Sequence, residues 1–243
     1  MAGSLRLAHP PIVEMVVDID CDLPADFDFA DLEGRARERY SDHYPGFRRR
    51  LRQPPRSAES NEQLNIRLGT YAFQFLGEGQ LVQFRGDGFS FNRIAPYEDL
   101  DEYLSEIRRT WQIYVDLAAP VTIRRIGLRY INRILLPLGG SIVNLDEYLH
   151  LGSNLPNDMV LRFNEYSAIE QATGNEFKVR IVIDELERLD QPLAVILDIA
   201  GSHRQSSDPQ IWENIEAAFF ALRRMANAVF RSSLTEQCLN LFR

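Results

Sequence analysis

Cysteine is nearly missing from this chain: Cys21 and Cys238 are the only two among 243 residues, and they lie at opposite ends. That excludes a disulfide framework and a thiolate metal cluster, and a reducing compartment, the cytoplasm, is expected. Lysine is scarcer still. Lys178 is the single example, so arginine supplies every other basic side chain. A GC-rich genome produces such a bias on its own, and so does selection for bidentate contacts to anions.

The four histidines, His9, His43, His150 and His203, form no H-x-H, H-x-x-x-H or H-E-x-x-H pairing, so no metal site is expected from spacing. No run of about 18 apolar residues exists to span a membrane, and the stretch from Met1 to Pro11 lacks the apolar core of a secretory signal. A phosphate-cradling glycine loop is also missing, because Gly86-Asp87-Gly88 is followed by a strand pattern and not by a helix. Nothing resembles a nucleophile elbow. His203, beside Ser202, reads as a loop histidine. No catalytic residue, cofactor or metal is therefore assigned.

Positive charge is in deficit, with 27 basic against 35 acidic residues and a net charge of -8. Such a balance disfavours nucleic acid unless cations gather on one face. What is abundant is ordinary globular material: 45% hydrophobic and 26% charged residues, enough to bury a sizeable core.

Residues Val13 to Cys21 alternate, with Val13, Met15, Val17, Ile19 and Cys21 on one side and Glu14, Val16, Asp18 and Asp20 on the other, which is the period of a half-buried strand. A helix from Asp28 follows, carrying Phe29, Leu32, Ala36 and Tyr40, and it stops near Tyr44-Pro45-Gly46. Extended runs Leu64–Leu76, Leu81–Arg85 and Phe89–Ile94 are separated by Gly77-Glu78-Gly79 and Gly86-Asp87-Gly88, the punctuation of an antiparallel meander. From Tyr97 to Leu117 the positions Leu100, Tyr103, Leu104, Ile107, Trp111, Tyr114 and Leu117 make the apolar stripe of an amphipathic helix.

The second part repeats the letters. A strand Val121–Leu136, a short helical piece at Leu145–Leu149, and strands Met159–Gln171, Phe177–Asp184 and Leu193–Ala200 precede a helix from about Pro209 to Phe230. Asp208 is its expected N-cap with Pro209 in the first turn, and Thr235 is expected to cap a short terminal helix. The pattern predicts the α+β class: antiparallel sheets with packed amphipathic helices, built as two β-α-β-β-β-α halves, residues 1–118 and 119–243, in one module.

The most informative chemistry lies on the two strands that open the halves. Arg125, Arg129 and Arg133 share one face of Val121–Leu136, about 13 Å apart at ~3.3 Å per residue. Glu14, Asp18 and Asp20 share the polar face of the first strand. If the two strands are neighbours, these stripes neutralise each other as cross-strand ion pairs. Alternatively, Arg125, Arg129 and Arg133, with Asn132 and with Glu14 or Asp18 as acid–base groups, receive an anionic ligand between the halves. A second cluster, Arg48, Arg49, Arg50, Arg52 and Arg56, falls in Phe47–Ser60, which its prolines and charges mark as a loop, either plainly solvated or a basic clamp for nucleic acid or an acidic protein.

Several short motifs stand in a particular order: His9-Pro10-Pro11-Ile12-Val13-Glu14, Tyr44-Pro45, Gly88-Phe89-Ser90-Phe91-Asn92 with Pro96-Tyr97, Arg129-Tyr130-Ile131-Asn132-Arg133-Ile134, and Asp198-Ile199 before a helix ending at Phe230 and Leu234-Thr235. Together they resemble a sporadically distributed bacterial family of conserved hypothetical proteins about 250 residues long, over nearly the whole chain. Met15 stands where that pattern leads one to expect a small residue such as alanine. The resemblance carries no activity with it. The family's patchy distribution is similar to that of mobile defence or toxin–antitoxin cargo, which implies a protein partner encoded by a neighbouring gene. Three functions follow in order of expectation: a non-catalytic interaction protein, an enzyme or sensor for an anionic small molecule, and a nucleic-acid binder acting through the arginine cluster.

Overall fold

The computed structural model of the chain describes residues 7–51, 70–137, 144–150, 162–183 and 192–243. Strand β1 (Ile12–Asp22) leads through a single 3-10 turn, Ala30–Leu32, into helix α1 (Glu33–Tyr40). Strands β2 (Gly46–Leu51), β3 (Thr70–Gly77), β4 (Gln80–Arg85) and β5 (Gly88–Ile94) precede helix α2 (Leu100–Ala118). Strand β6 (Thr122–Leu136), a 3-10 turn at Leu145–Glu147, and strands β7 (Phe163–Ile169), β8 (Glu176–Ile183) and β9 (Leu193–His203) come next. Helices α3 (Trp212–Ser233) and α4 (Glu236–Leu239) follow, and a 3-10 turn at Asn240–Phe242 ends the described elements.

All nine strands join one antiparallel sheet in the order β2-β3-β4-β5-β1-β6-β9-β8-β7. This is the α+β class that the pattern predicts. From the centre the order runs outward as β1, β5, β4, β3, β2 on one side and as β6, β9, β8, β7 on the other. The two opening strands are therefore neighbours. Their register pairs Val17 with Leu128, Asp18 with Gly127 and Ile19 with Ile126.

Because side chains alternate across a strand, this register puts Met15, Val17 and Ile19 on the same face as Ile126, Leu128 and Tyr130. All six are buried, and the helices cover that face. Helix α2 lays Trp111 and Tyr114 over it: the Tyr114 ring centroid lies 4.6 Å from that of Phe84, and Trp111 meets Phe89 edge-on at 5.7 Å. Farther out, Phe29 stacks on Phe73 at 4.3 Å. Burial of each such ring contributes about 2–3 kcal/mol, which fixes the helices more firmly than their capping does.

Three local expectations are corrected by the structure. Asp208 does not cap α3: its carboxylate accepts the Gln210 backbone N–H at 2.8 Å, and the Pro209 carbonyl accepts from Trp111 Nε1 at 3.2 Å. With both groups committed to the turn, the helix starts one turn later at Trp212, with Ile211 as its N-cap residue. Strand β9 runs on to His203, whose Nδ1 lies 2.7 Å from Asn175 Oδ1, so this histidine ends a strand and is not a loop residue. The start of the Phe47–Ser60 segment is strand β2, paired with β3. Thr235 does cap α4, accepting from the Cys238 backbone N–H at 3.3 Å.

No described helix is long and apolar enough to cross a membrane. Both cysteines are free and buried. Burial pushes the Cys21 thiol up to about 12 and the Cys238 thiol up to about 11, so neither is a thiolate at neutral pH.

Candidate functional site

The face of the sheet opposite the helices carries most of the strands' charged side chains. Alternation and register place Arg48 and Arg50 on β2, Arg85 on β4, Arg125, Arg129 and Arg133 on β6, and Lys178 and Arg180 on β8 there. The carboxylates on the same face are Glu14, Asp18, Asp20 and Asp22 on β1, Glu165 on β7, Glu176 on β8 and Asp198 on β9. Cations thus outnumber carboxylates on these strands although the chain as a whole is at -8. The acidic excess lies elsewhere.

A hydrogen-bonded row crosses the middle of this face. Gln74 Nε2 donates to Gln83 at 3.0 Å, Gln83 Nε2 to Asn92 at 3.5 Å, and Asn92 Nδ2 to Glu14 at 2.6 Å. Ser90 Oγ donates to Asp18 at 2.6 Å in the next row. Gln83, Ser90 and Asn92 are buried, so each amide or hydroxyl must find a partner, and the row supplies one.

The arginines are mostly spoken for. Arg125 Nε donates to Asp20 at 2.6 Å, and Arg85 Nη2 donates to the other oxygen of Asp20 at 2.6 Å. Lost hydration raises the Asp20 pKa, but the Arg125 and Arg85 guanidiniums outweigh it and hold the carboxyl below its usual value. Arg129 forms a bidentate pair with Asp198 at 2.7 Å for both bonds. Arg133 is different. It is exposed, and its side chain has no partner among the described residues.

The structure places the three arginines of the stripe, Arg125, Arg129 and Arg133, in different surroundings. Arg125 does pair with a β1 carboxylate, but Arg129 turns away from Glu14 and Asp18 to Asp198 on the other neighbour, because a fork-shaped guanidinium meets both oxygens of Asp198 at once. Only Arg133 remains open to a ligand from solution. Asn132 lies on the opposite face from the arginines, buried, donating its amide to the Leu197 carbonyl at 2.9 Å.

The cluster of Arg48, Arg49 and Arg50 is likewise no single basic patch, because alternation on β2 divides it. Arg49 forms a bidentate pair with Glu33 of α1 at 2.7 and 2.8 Å, while Arg48 and Arg50 belong to the other face. Arg52 and Arg56 lie outside the described residues.

Removing the Arg129 guanidinium leaves Asp198, 8% exposed, without either charged donor. Arg129→Ala should lower stability by about 2 kcal/mol, less than a fully buried pair would give because the Arg129 side chain itself is 41% exposed. Denaturant titration of Arg129→Ala, Asp198→Ala and the double variant checks this. If the two losses simply add, the pair is not coupled.

A second feature lies on the helix side. A cleft of about 820 Å³ opens where α2 and α3 flank the centre of the sheet, with Tyr97, Tyr130, Asn132 and Ile199 at its floor and Pro10, Pro11, Phe220 and Phe230 among its walls. Tyr97 Oη donates to Tyr130 Oη at 3.4 Å. Arg223 bridges its rim, donating to Asp99 at 2.7 Å and Asp101 at 3.0 Å. Sequence reading misses this cleft, apart from Asn132, because its lining comes from both ends of the chain. Among the described residues no group of three His, Cys, Asp or Glu side chains is arranged to hold a metal ion.

A scan against protein-family models finds no match for this chain, and a search of curated proteins finds none either. Pro10-Pro11-Ile12, Tyr97, Tyr130, Asn132 and Ile199 line the cleft, and Glu14, Arg129, Arg133 and Asp198 lie across the sheet from it.

Proposed function

We propose that this chain is a non-catalytic interaction protein of the cytoplasm, which docks a protein partner encoded by a neighbouring gene on the polar face of its sheet. The observation that supports this reading best is the contrast between Arg133 and its neighbours: an exposed, unpartnered guanidinium beside the locked Arg129–Asp198 pair. A field of largely paired side chains around the open Arg133 guanidinium suits docking, since little side-chain entropy is lost when a partner arrives. The partner contributes a carboxylate to Arg133 and neutral or mixed-charge side chains to the rows around it. Carboxylates interspersed on the same strands weigh against a polyphosphate backbone, and the pairing of Arg125 and Arg129 weighs against a small-anion site there.

Co-expression with the adjacent reading frames, followed by affinity purification at low salt, tests the reading. A stoichiometric neighbour should come down with the wild type and be lost with Arg133→Glu, whose fold and melting temperature stay unchanged. Purification of the native-operon protein alone, or capture that Arg133→Glu leaves intact, contradicts it. Salt-sensitive retention of nucleic acid in place of a protein transfers the face to that other class of partner.

A further inference from the structure

The half of the polar sheet face built from β6, β9, β8 and β7 carries an apolar row. The register sets Arg133 opposite Ile196, Ile196 opposite Val182, and Val182 opposite Phe163, so these four side chains cross four strands on one face. Phe163 is 54% exposed, and Ile196 and Val182 are half-buried. On β6, Arg133 is flanked on the same face by Leu135, 45% exposed, and by Ile131, half-buried. Apolar side chains scattered singly over a surface mean little, but these are contiguous and end at the open guanidinium.

The charge beside the row is unbalanced. In this row and the next two on the same strands, from Ile131 to Glu165 and from Arg129 to Ser167, the cations are Arg129, Arg133, Lys178 and Arg180, and the carboxylates are Asp198 and Glu165. Asp198 is taken by Arg129, while Lys178 at 2.7 Å and Arg180 at 3.0 Å share the one carboxylate of Glu165. Glu14, which borders Ile131 from β1, still leaves the surplus positive. The Arg180 guanidinium lies 5.9 Å from the Phe163 ring centroid, so the surplus reaches the far end of the row. Such a surface attracts an acidic partner and repels a basic one.

Spacing selects the form of that partner. Neighbouring strands are about 4.8 Å apart, so Ile196, Val182 and Phe163 span about 10 Å and Arg133 stands about 5 Å beyond them. A helix rises about 5.4 Å per turn, so its residues i, i+4 and i+7 span about 10.5 Å, and a residue one turn earlier reaches as far as Arg133. An extended segment laid along the row spaces its same-face side chains about 6.7 Å apart and falls out of step with the strands. We propose that the partner lays a net-negative amphipathic helix across β6, β9, β8 and β7, an assignment that rests on the docking face described above. Its apolar stripe packs on Ile196, Val182 and Phe163, one carboxylate meets Arg133, and its acidic flank faces Lys178 and Arg180.

Fluorescence anisotropy of the full chain with labelled peptides of about 16 residues, long enough to form a helix, tests the assignment. The first peptide carries leucine at helical spacing on a glutamate background, the second replaces each glutamate by lysine, and the third alternates the leucines and glutamates of the first so that no helical stripe remains. The first should bind at least tenfold more tightly than either of the others. Phe163→Ser and Leu135→Ser, both at exposed positions, should each weaken it about fivefold with the melting temperature unchanged, and Arg133→Glu at least tenfold. No binding of the first peptide, equal binding of the second or third, preference for a single-stranded oligonucleotide, or unchanged affinity in both serine variants overturns the proposal. A neighbouring gene product that Arg133→Glu releases and both serine variants retain removes the helix but leaves the docking face standing. A neighbour insensitive to all three variants removes both.

Discussion

Gly88→Ala is expected to lower the melting temperature by about 10 °C, corresponding to about 3 kcal/mol in a domain of this size. Gly88 opens β5 opposite Asp20 with φ of 154°, in the region that only glycine occupies comfortably. A methyl group there would collide with the Ile19 carbonyl oxygen and stand 2.9 Å from the Asp20 Cα, both main-chain atoms of β1. Backbone cannot swing aside as a side chain can, so β5 must shift along β1, and the Arg85–Asp20 contact beside it shifts too. Gly34 in α1 is the control. Nothing lies within 4 Å of its added Cβ, so Gly34→Ala should raise stability by about 0.5–1 kcal/mol. Calorimetry of the two variants measures both effects. Equal melting temperatures would contradict the β1–β5 register.

Arg85→Met should destabilise by about 2–3 kcal/mol at neutral pH, and by progressively less in acid. The guanidinium reaches Asp20 at 2.6 Å and Asp18 at 3.9 Å, and its side chain is only 12% exposed. Without it, two carboxylates face each other with Arg125 alone to offset them. In the wild type the Asp20 pKa is held below its unfolded value of 3.8, so the unfolded chain takes up the proton first as pH falls. The resulting stabilisation is complete above pH 3.8 and is lost as pH drops through the lower folded value. Met at position 85 removes part of that depression. The gap between variant and wild type should therefore be widest at pH 7 and narrow below about pH 4, as measured by urea titration across that range. A gap independent of pH would mean that Arg85 acts through packing only. Asp20→Asn in the Arg85→Met background should restore part of the loss at neutral pH.

These two sites bear on what a sequence can disclose. The alternation in β1 and β6 is legible because charge and aliphatic residues separate cleanly with a period of two, and opposite signs on the two strands suggest that they pair. The choice of Asp198 by Arg129 is not legible. Asp198 lies 69 residues away in a strand otherwise written in apolar letters, and only the register of β6 with β9 puts the two together. Strand β2 hides for a different reason: Arg48, Arg49 and Arg50 are exposed on both sides of an edge strand, so no alternation in polarity marks it and the nearby prolines suggest a loop. Helix α3 starts late because the Pro209 carbonyl is held by Trp111, 98 residues earlier, which no local capping rule contains.

The two candidate surfaces differ in the same way. The polar face is announced by β1 and β6 themselves, and what the chain order withholds is which arginine stays free. The cleft is assembled from the turn before β1, the start of α2, the middle of β6 and the far half of α3, segments that share no pattern. Its floor residues, Tyr130 and Asn132, fall on the buried side of β6, where an apolar alternation leads one to expect only packing.

The most direct test measures partner affinity by calorimetry for two charge reversals on opposite sides of the sheet, Arg133→Glu and Arg224→Glu. If β6 presents its open guanidinium to the partner, the first variant should bind at least tenfold more weakly and the second like wild type. Equal weakening by both, or loss only with Arg224→Glu, would mean that the partner meets the helices and that the polar face of the sheet is not where this protein works.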